Sequence, residues 1–124
     1  MVRLLGGRSI NQITQVFKAL SDANRLRILN MIVEKPLCVC EITDILELAT
    51  STVSKHLSIL RDSGLIVDEK VGKWVNYRIN SSIDDEFIQH LHFLLRNWLK
   101  DSKDIIRDKQ RARVSDRKEI CRRQ

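Results

Sequence analysis

Ser51-Thr52-Val53-Ser54-Lys55-His56-Leu57-Ser58-Ile59-Leu60-Arg61-Asp62-Ser63-Gly64-Leu65-Ile66 is the stretch on which the fold turns. Val53, Leu57 and Leu60 recur at helical intervals, so residues 51–62 read as one helix with a single apolar face, and Gly64 is the residue type that closes such a helix. Directly afterwards the period changes. Residues 65–70 and 74–79 are short β-type runs joined around Val71-Gly72-Lys73, which reads as a hairpin. Just upstream, residues 40–48 carry Ile42, Ile45, Leu46 and Leu48 and read as a short helix, set off by Ala49-Thr50. Two short helices joined by a tight turn and followed at once by a hairpin make a helix-turn-helix with a wing.

Working outward, Ser9 is a plausible N-cap for a first helix with Ile10, Ile13, Phe17 and Leu20 at helical spacing. Ser21-Asp22 stops it and restarts a second, through Leu26, Ile28, Leu29, Ile32 and Val33, which Pro36 bars from continuing. Beyond the wing, helical spacing returns from Ser82, with Ile83, Phe87, Ile88, Leu91, Leu94, Leu95, Trp98 and Leu99. Apolar positions there are too dense for one face, so this helix has two surfaces to cover, and a second copy of a small chain is one way to cover them. The fold class is α+β, mostly α: a winged helix-turn-helix with a two-stranded hairpin wing, homodimeric. Residues 1–100 form the DNA-binding and dimerisation domain. Residues 101–124, charged and sparsely apolar, form a basic extension that is either helical or disordered.

The 124 residues carry 22 Lys/Arg against 16 Asp/Glu, a formal charge of +6, and residues 101–124 hold nine of the bases against five acids. A basic surplus suits a polyanion through phosphate neutralisation, although a solvated tail would look the same by charge alone. Residues 1–7 hold no apolar stretch of secretory length and no apolar run approaches a membrane span, which places the chain in the cytoplasm with no membrane partner. Cys38, Cys40 and Cys121 are too few for a disulfide framework, and in a reducing compartment they are expected as free thiols.

In a helix-turn-helix the second helix enters the major groove with its N-terminal residues foremost. Those residues are Ser51, Thr52, Ser54, Lys55 and His56, small or hydrogen-bonding side chains suited to phosphates and base edges. Lys70, Lys73 and Arg78 place cations around the hairpin glycine, where they suit phosphate or minor-groove contact. Trp74 and Tyr77, three apart on a strand, point to opposite faces and are read as packing the wing on the body.

Three motifs in unbroken order carry a family resemblance. Lys18-Ala19-Leu20-Ser21-Asp22-Ala23-Asn24-Arg25-Leu26-Arg27-Ile28-Leu29, residues 51–66 and Gly72-Lys73-Trp74-Val75-Asn76-Tyr77-Arg78-Ile79 resemble the opening, recognition helix and wing of the ArsR/SmtB metalloregulators. The likeness spans roughly residues 12–99 and leaves residues 101–124 unaccounted for. It implies a repressor that needs no cofactor to bind DNA, pairs through its first helix and the helix from Ile83, binds an inverted-repeat operator, and releases it when an inducer binds.

Pro36-Leu37-Cys38-Val39-Cys40-Glu41-Ile42 resembles the metalloid-binding segment of the arsenic-responsive branch. Residues two apart in a helix lie about 200° around the axis, whereas in an extended segment they share a side. Cys38 and Cys40 can therefore grip one ion only where the start of the helix is unwound or distorted, and a helix N-terminus favours their thiolates. Soft thiolates select soft ions, here As(III) or Sb(III) as inducer. Relatives in this branch often carry a third Cys three residues beyond the pair, where this chain has Thr43. A third sulfur would come from Cys121, from a small cellular thiol, or from nothing.

Alternatives on the same fold are a Cd/Pb sensor, whose extra cysteines on an N-terminal arm are missing from residues 1–11, and a thiol redox switch. A disulfide between Cys38 and Cys40 themselves would be strained. Zinc sensors of the family need a His-x-x-Glu that residues 84–100 do not offer, and His90 and His92, two apart, face different ways. No catalytic motif accompanies the cysteines, neither Cys-x-x-Cys beside a βαβ unit nor a phosphate-cradling loop, so the chain is read as no enzyme.

Overall fold

The computed structural model describes residues 8–82 and 85–121. Helix α1 (Ile10–Leu20) opens with a capping box: the Ser9 hydroxyl accepts the Gln12 N–H at 3.1 Å, and Gln12 Oε1 accepts the Ser9 N–H at 2.8 Å. Asp22 caps α2 (Ala23–Glu34) by accepting the Arg25 N–H at 3.1 Å. Strand β1 (Leu37–Cys38) leads into α3 (Val39–Leu46), and α4 (Thr50–Asp62) completes the helix-turn-helix. The wing is β2 (Ile66–Val71) and β3 (Trp74–Ile79), followed by α5 (Glu86–Leu99), α6 (Lys103–Val114) and the single turn α7 (Arg117–Ile120).

Two boundaries differ from the sequence reading. Helix α3 begins at Val39, and it ends at Leu46 because Glu47 takes the left-handed conformation (φ 58) and its N–H bonds the Thr43 carbonyl at 2.8 Å. Leu48 packs against the core from outside the helix. The sheet has three strands, ordered β1-β3-β2 and antiparallel throughout, because β1 adds to the wing with Leu37 opposite Tyr77 and Cys38 opposite Asn76. A two-residue strand leaves no periodicity to read. Val71 pairs with Trp74 across the two-residue turn Gly72-Lys73. Gly72 sits first in that turn at φ 62, a conformation open to it for want of a side chain. The fifth helix is capped by Asp85, which accepts the Ile88 N–H; Ile83, expected within it, lies outside the described residues.

One core holds these elements together. Val53, Leu57 and Leu60 of α4 are fully buried, as their spacing requires, against Ile28 of α2, Ile42 of α3 and Ile88 of α5. Each such side chain contributes about 1.5–3 kcal/mol relative to exposure. His92 is buried on α5, its Nε2 3.0 Å from the Leu65 carbonyl, and burial lowers its pKa, so it sits as a neutral imidazole donating to that oxygen.

The basic extension is helical and docked. Ser102 caps α6, and Ile105, Asp108 and Ala112, at helical spacing, are buried against the body, Ala112 within the main core. Arg27 of α2 grips Asp108 with two hydrogen bonds, Nε at 2.7 Å and Nη2 at 3.0 Å. Arg113 pairs with Glu34, and Lys35 Nζ donates to the Ser115 carbonyl at 3.0 Å. Among the described residues, no helix is long and apolar enough to cross a membrane.

Candidate thiol centre and nucleic-acid interface

Helix α4 begins after Ala49, which offers no side-chain cap, and exposes Ser51, Thr52, Ser54 and Lys55 in its first two turns. Hydroxyl, ammonium and leading N–H groups at one helix end suit phosphate oxygens and base edges. His56 does not join them. Its Nδ1 lies 3.0 Å from Arg25 Nη1, which turns the ring back to the body. On the wing Lys70 and Lys73 are exposed, and the Lys73 ammonium lies 4.9 Å from the Trp74 ring centre. Arg78 is half-buried and pairs with Glu69 across the hairpin at 3.6 Å. The structure thus leaves Ser51, Thr52, Ser54, Lys55, Lys70 and Lys73 as outward groups and ties His56 and Arg78 to neighbours within the fold.

Around Cys38 the local sequence builds a second site. Cys38 is the N-cap of α3, with extended backbone (φ −92, ψ 168), and Cys40 lies in the first turn. The boundary between strand and helix therefore falls between them, and their sulfurs lie 3.2 Å apart with the helix regular from Val39. Cys121, C-cap of α7, brings a third sulfur to 3.6 Å from that of Cys38. All three sulfurs lie within 4.8 Å of one another, and no other group of three His, Cys, Asp or Glu side chains among the described residues is so disposed.

The expectation of three free thiols needs correction. The structure links Cys40 to Cys121 as a disulfide, Cα atoms 5.6 Å apart, and leaves Cys38 free and buried. The reason is the docked extension, which carries α7 onto the first turn of α3. A second correction concerns acidity. Burial pushes the Cys38 thiol above its ordinary value despite its place at a helix start, outweighing the Glu41 backbone N–H that favours the thiolate.

Glu41 was not singled out from the sequence, yet it organises the centre. It is 1% exposed, and its Oε1 accepts the Cys38 N–H at 3.0 Å and meets Arg117 Nη2 at 3.1 Å, while Oε2 accepts the Ser115 hydroxyl. A signal was available, since Glu three residues after an N-cap is capping-box spacing. Two buried polar atoms nearby in the chain pairing have no hydrogen-bond partner: Asn76 Oδ1, on the residue opposite Cys38, and Thr43 Oγ1, one turn after Cys40. As a donor set, three sulfurs without carboxylate or imidazole fit a thiophilic ion.

These features define a class: a winged helix-turn-helix regulator with a thiol centre built between its wing and its C-terminal extension. A family model for bacterial regulatory proteins of the arsR family matches residues 22–67. The arsenical resistance operon repressor of Escherichia coli K12 is 37% identical over 109 residues, covering 86% of this chain and 93% of that protein. A homologue of a cadmium resistance transcriptional regulatory protein from Staphylococcus aureus is 41% identical over 80 residues, covering 64% of this chain and 63% of that one. Among solved structures, the homodimeric winged helix-turn-helix DNA-binding domain of a possible ArsR-family regulator from Mycobacterium bovis matches with a TM-score of 0.63 at 25% identity, over 80% of this chain and 94% of that one. The chain belongs to the ArsR family of bacterial transcriptional regulators, a family of regulators and not of enzymes.

Proposed function

We propose that the chain is a homodimeric operator-binding repressor that releases DNA when trivalent arsenic or antimony is captured by Cys38, Cys40 and Cys121. The observation that carries this reading is the convergence of three sulfurs within 4.8 Å. Arsenous acid would exchange its three hydroxyls for three sulfurs, each thiol proton leaving in water, to give the pyramidal three-sulfur arrangement this ion prefers. The name of the Escherichia coli relative supports arsenic. That of the Staphylococcus relative keeps cadmium as the ion to compete against it. Exposed Ile10 and Phe17 on α1, with Phe93, Leu94 and Trp98 on α5, support pairing through these two helices.

Titrating the fully reduced chain with arsenite tests the reading. One ion per protomer should bind, three thiols per protomer should be lost to a thiol reagent, and operator release should share the midpoint of the sulfur-to-arsenic absorption. Release without thiol loss would overturn it. For the DNA face, Ser54→Ala and Lys55→Ala should each weaken specific binding by about 1–3 kcal/mol. Lys73→Ala should weaken specific and non-specific binding alike and reduce the salt slope by about one. Intact operator affinity in all three would remove α4 and the wing as the reading surface.

The Cys40–Cys121 disulfide favours one second reading, a thiol redox response. Two thiols would lose two electrons and two protons to an oxidant such as hydrogen peroxide, which becomes water. Under that reading peroxide would release the operator in the absence of arsenite, and under the first it would only block the arsenite response.

A further inference from the structure

The three sulfurs meet without unwinding α3, so distortion of that helix does not by itself account for how an ion at this centre is felt at the DNA. The side chain best placed to carry the message is Arg117. Resting on the sulfur-site reading above, we propose that Arg117 is the positioning residue that couples occupation of the thiol centre to the wing.

Arg117 opens the single turn α7 and Cys121 closes it, the Cys121 N–H bonding the Arg117 carbonyl. Residues four apart on a helical turn lie on one face, so the guanidinium and the third sulfur ride side by side and move as one unit. Towards the body, Arg117 Nη2 meets the fully buried Glu41 carboxylate at 3.1 Å, on the same oxygen that accepts the Cys38 N–H. Towards the wing, its Cζ lies 5.7 Å from the centre of the Trp74 ring, within cation–π range, and Lys73 lies 4.9 Å from the same ring. Trp74 is the first residue of β3 and Lys73 is the wing turn itself. One side chain thus touches the first turn of α3 and the base of the wing tip, one helical turn from a candidate ligand.

The mechanics follow from this placement. In the reduced chain, the Cys121 thiol gives its proton to a departing hydroxyl, which leaves as water, and bonds an ion shared with Cys38 and Cys40. Helix α7 then shifts to bring that sulfur to bonding distance, and Arg117 shifts with it. The Glu41 contact resists movement on the body side, because Glu41 is 1% exposed and is held by two further partners, the Cys38 N–H and the Ser115 hydroxyl. The half-exposed wing is the softer side, so the shift is delivered there. An inducer acts only through its differential affinity for two states, and a changed Arg117–Trp74 contact gives the two states different wings. The β1–β3 pairing is a rival route, since it also joins Cys38 to the wing strand.

The test uses the full-length reduced chain labelled with 5-fluorotryptophan, whose two fluorine resonances are assigned with Trp98→Phe. Wild type should show the Trp74 resonance move with arsenite at the midpoint of sulfur–arsenic absorption. Arg117→Met leaves Glu41 the Cys38 N–H and the Ser115 hydroxyl, and it is compared with wild type at a temperature where circular dichroism shows both folded. In that variant the absorption should persist with unchanged stoichiometry and the free protein should hold its operator as wild type does. Its Trp74 resonance should stay still, and operator release should need about tenfold more arsenite, a factor typical of coupled sites. Arg117→Lys, which keeps a cation for both contacts, should restore most of the response. Trp74→Leu, altered at the other end, should bind arsenite normally and release poorly. If Arg117→Met matches wild type in both resonance and release, the message travels by the β1–β3 pairing and the inference is overturned. A wild type with no sulfur–arsenic absorption would overturn the sulfur-site reading and this inference with it.

Discussion

Cys38→Ser and Cys40→Ser each hold the operator as wild type does and fail to release it at any arsenite concentration that empties wild type. This is the largest functional effect expected. Both residues belong to the folded body, Cys38 at the N-cap and Cys40 in the first turn of α3, and neither is among the outward groups of α4. Serine keeps the shape and removes the soft donor, so the ion loses a bond it cannot replace with a hydroxyl. A coupling of about 1–3 kcal/mol, typical of linked sites, is lost in full. Cys121→Ser should weaken the response without removing it, because Cys38 and Cys40 both sit at the start of α3 and keep their 3.2 Å pairing, which a small thiol can complete. Either of the other changes leaves one body sulfur and one on the separate turn α7. Operator release by gel shift or fluorescence anisotropy, read beside arsenite absorption, checks all three. Normal release in both Cys38→Ser and Cys40→Ser would place the sensing site elsewhere.

The largest stability effect is expected at Arg27. Asp108 is fully buried and its carboxylate is held by two hydrogen bonds from Arg27, with Arg107 a further 3.6 Å neighbour. Replacing Arg27 with Met strands a buried charge, a change that costs about 3 kcal/mol at the lower end of the range for such pairs, since Arg107 remains. Arg27→Met combined with Asp108→Leu removes both charges and should recover most of that loss. Urea unfolding at one fixed protomer concentration measures it, because dimerisation makes stability depend on concentration. An Arg27→Met protein as stable as wild type would show that the pair contributes nothing to docking α6.

How much of this could be read in advance follows from which interactions are local. The reading helix, the wing and the first two helices were legible because their caps and apolar spacing lie within a few residues: Ser9 with Gln12, Asp22 with Arg25, Val53 with Leu57 and Leu60. The docked extension was not. Its buried face is only Ile105, Asp108 and Ala112, one of them a carboxylate that reads as solvated until Arg27, 81 positions away, is seen to hold it. For the same reason Cys121 could be named but not placed, and β1 and Glu41 went unread. His56 and Arg78 carry contacts of the same non-local kind. Their types and positions suit DNA, and within the chain Arg25, 31 positions away from His56, and Glu69, across the hairpin from Arg78, also engage them.

Two of the three sulfurs are fixtures of the body, while the third arrives on a segment that must first dock. The concentration of ion that half-fills such a site is its intrinsic dissociation constant divided by the docked fraction. Under the proposed function, contacts such as Arg113 with Glu34 and Arg111 with Glu47 would therefore act as a sensitivity setting. Substitutions there would raise or lower the dose at which the chain answers and leave its choice of DNA sequence alone. Detection threshold and operator preference could thus drift independently under selection, although one small core holds them both.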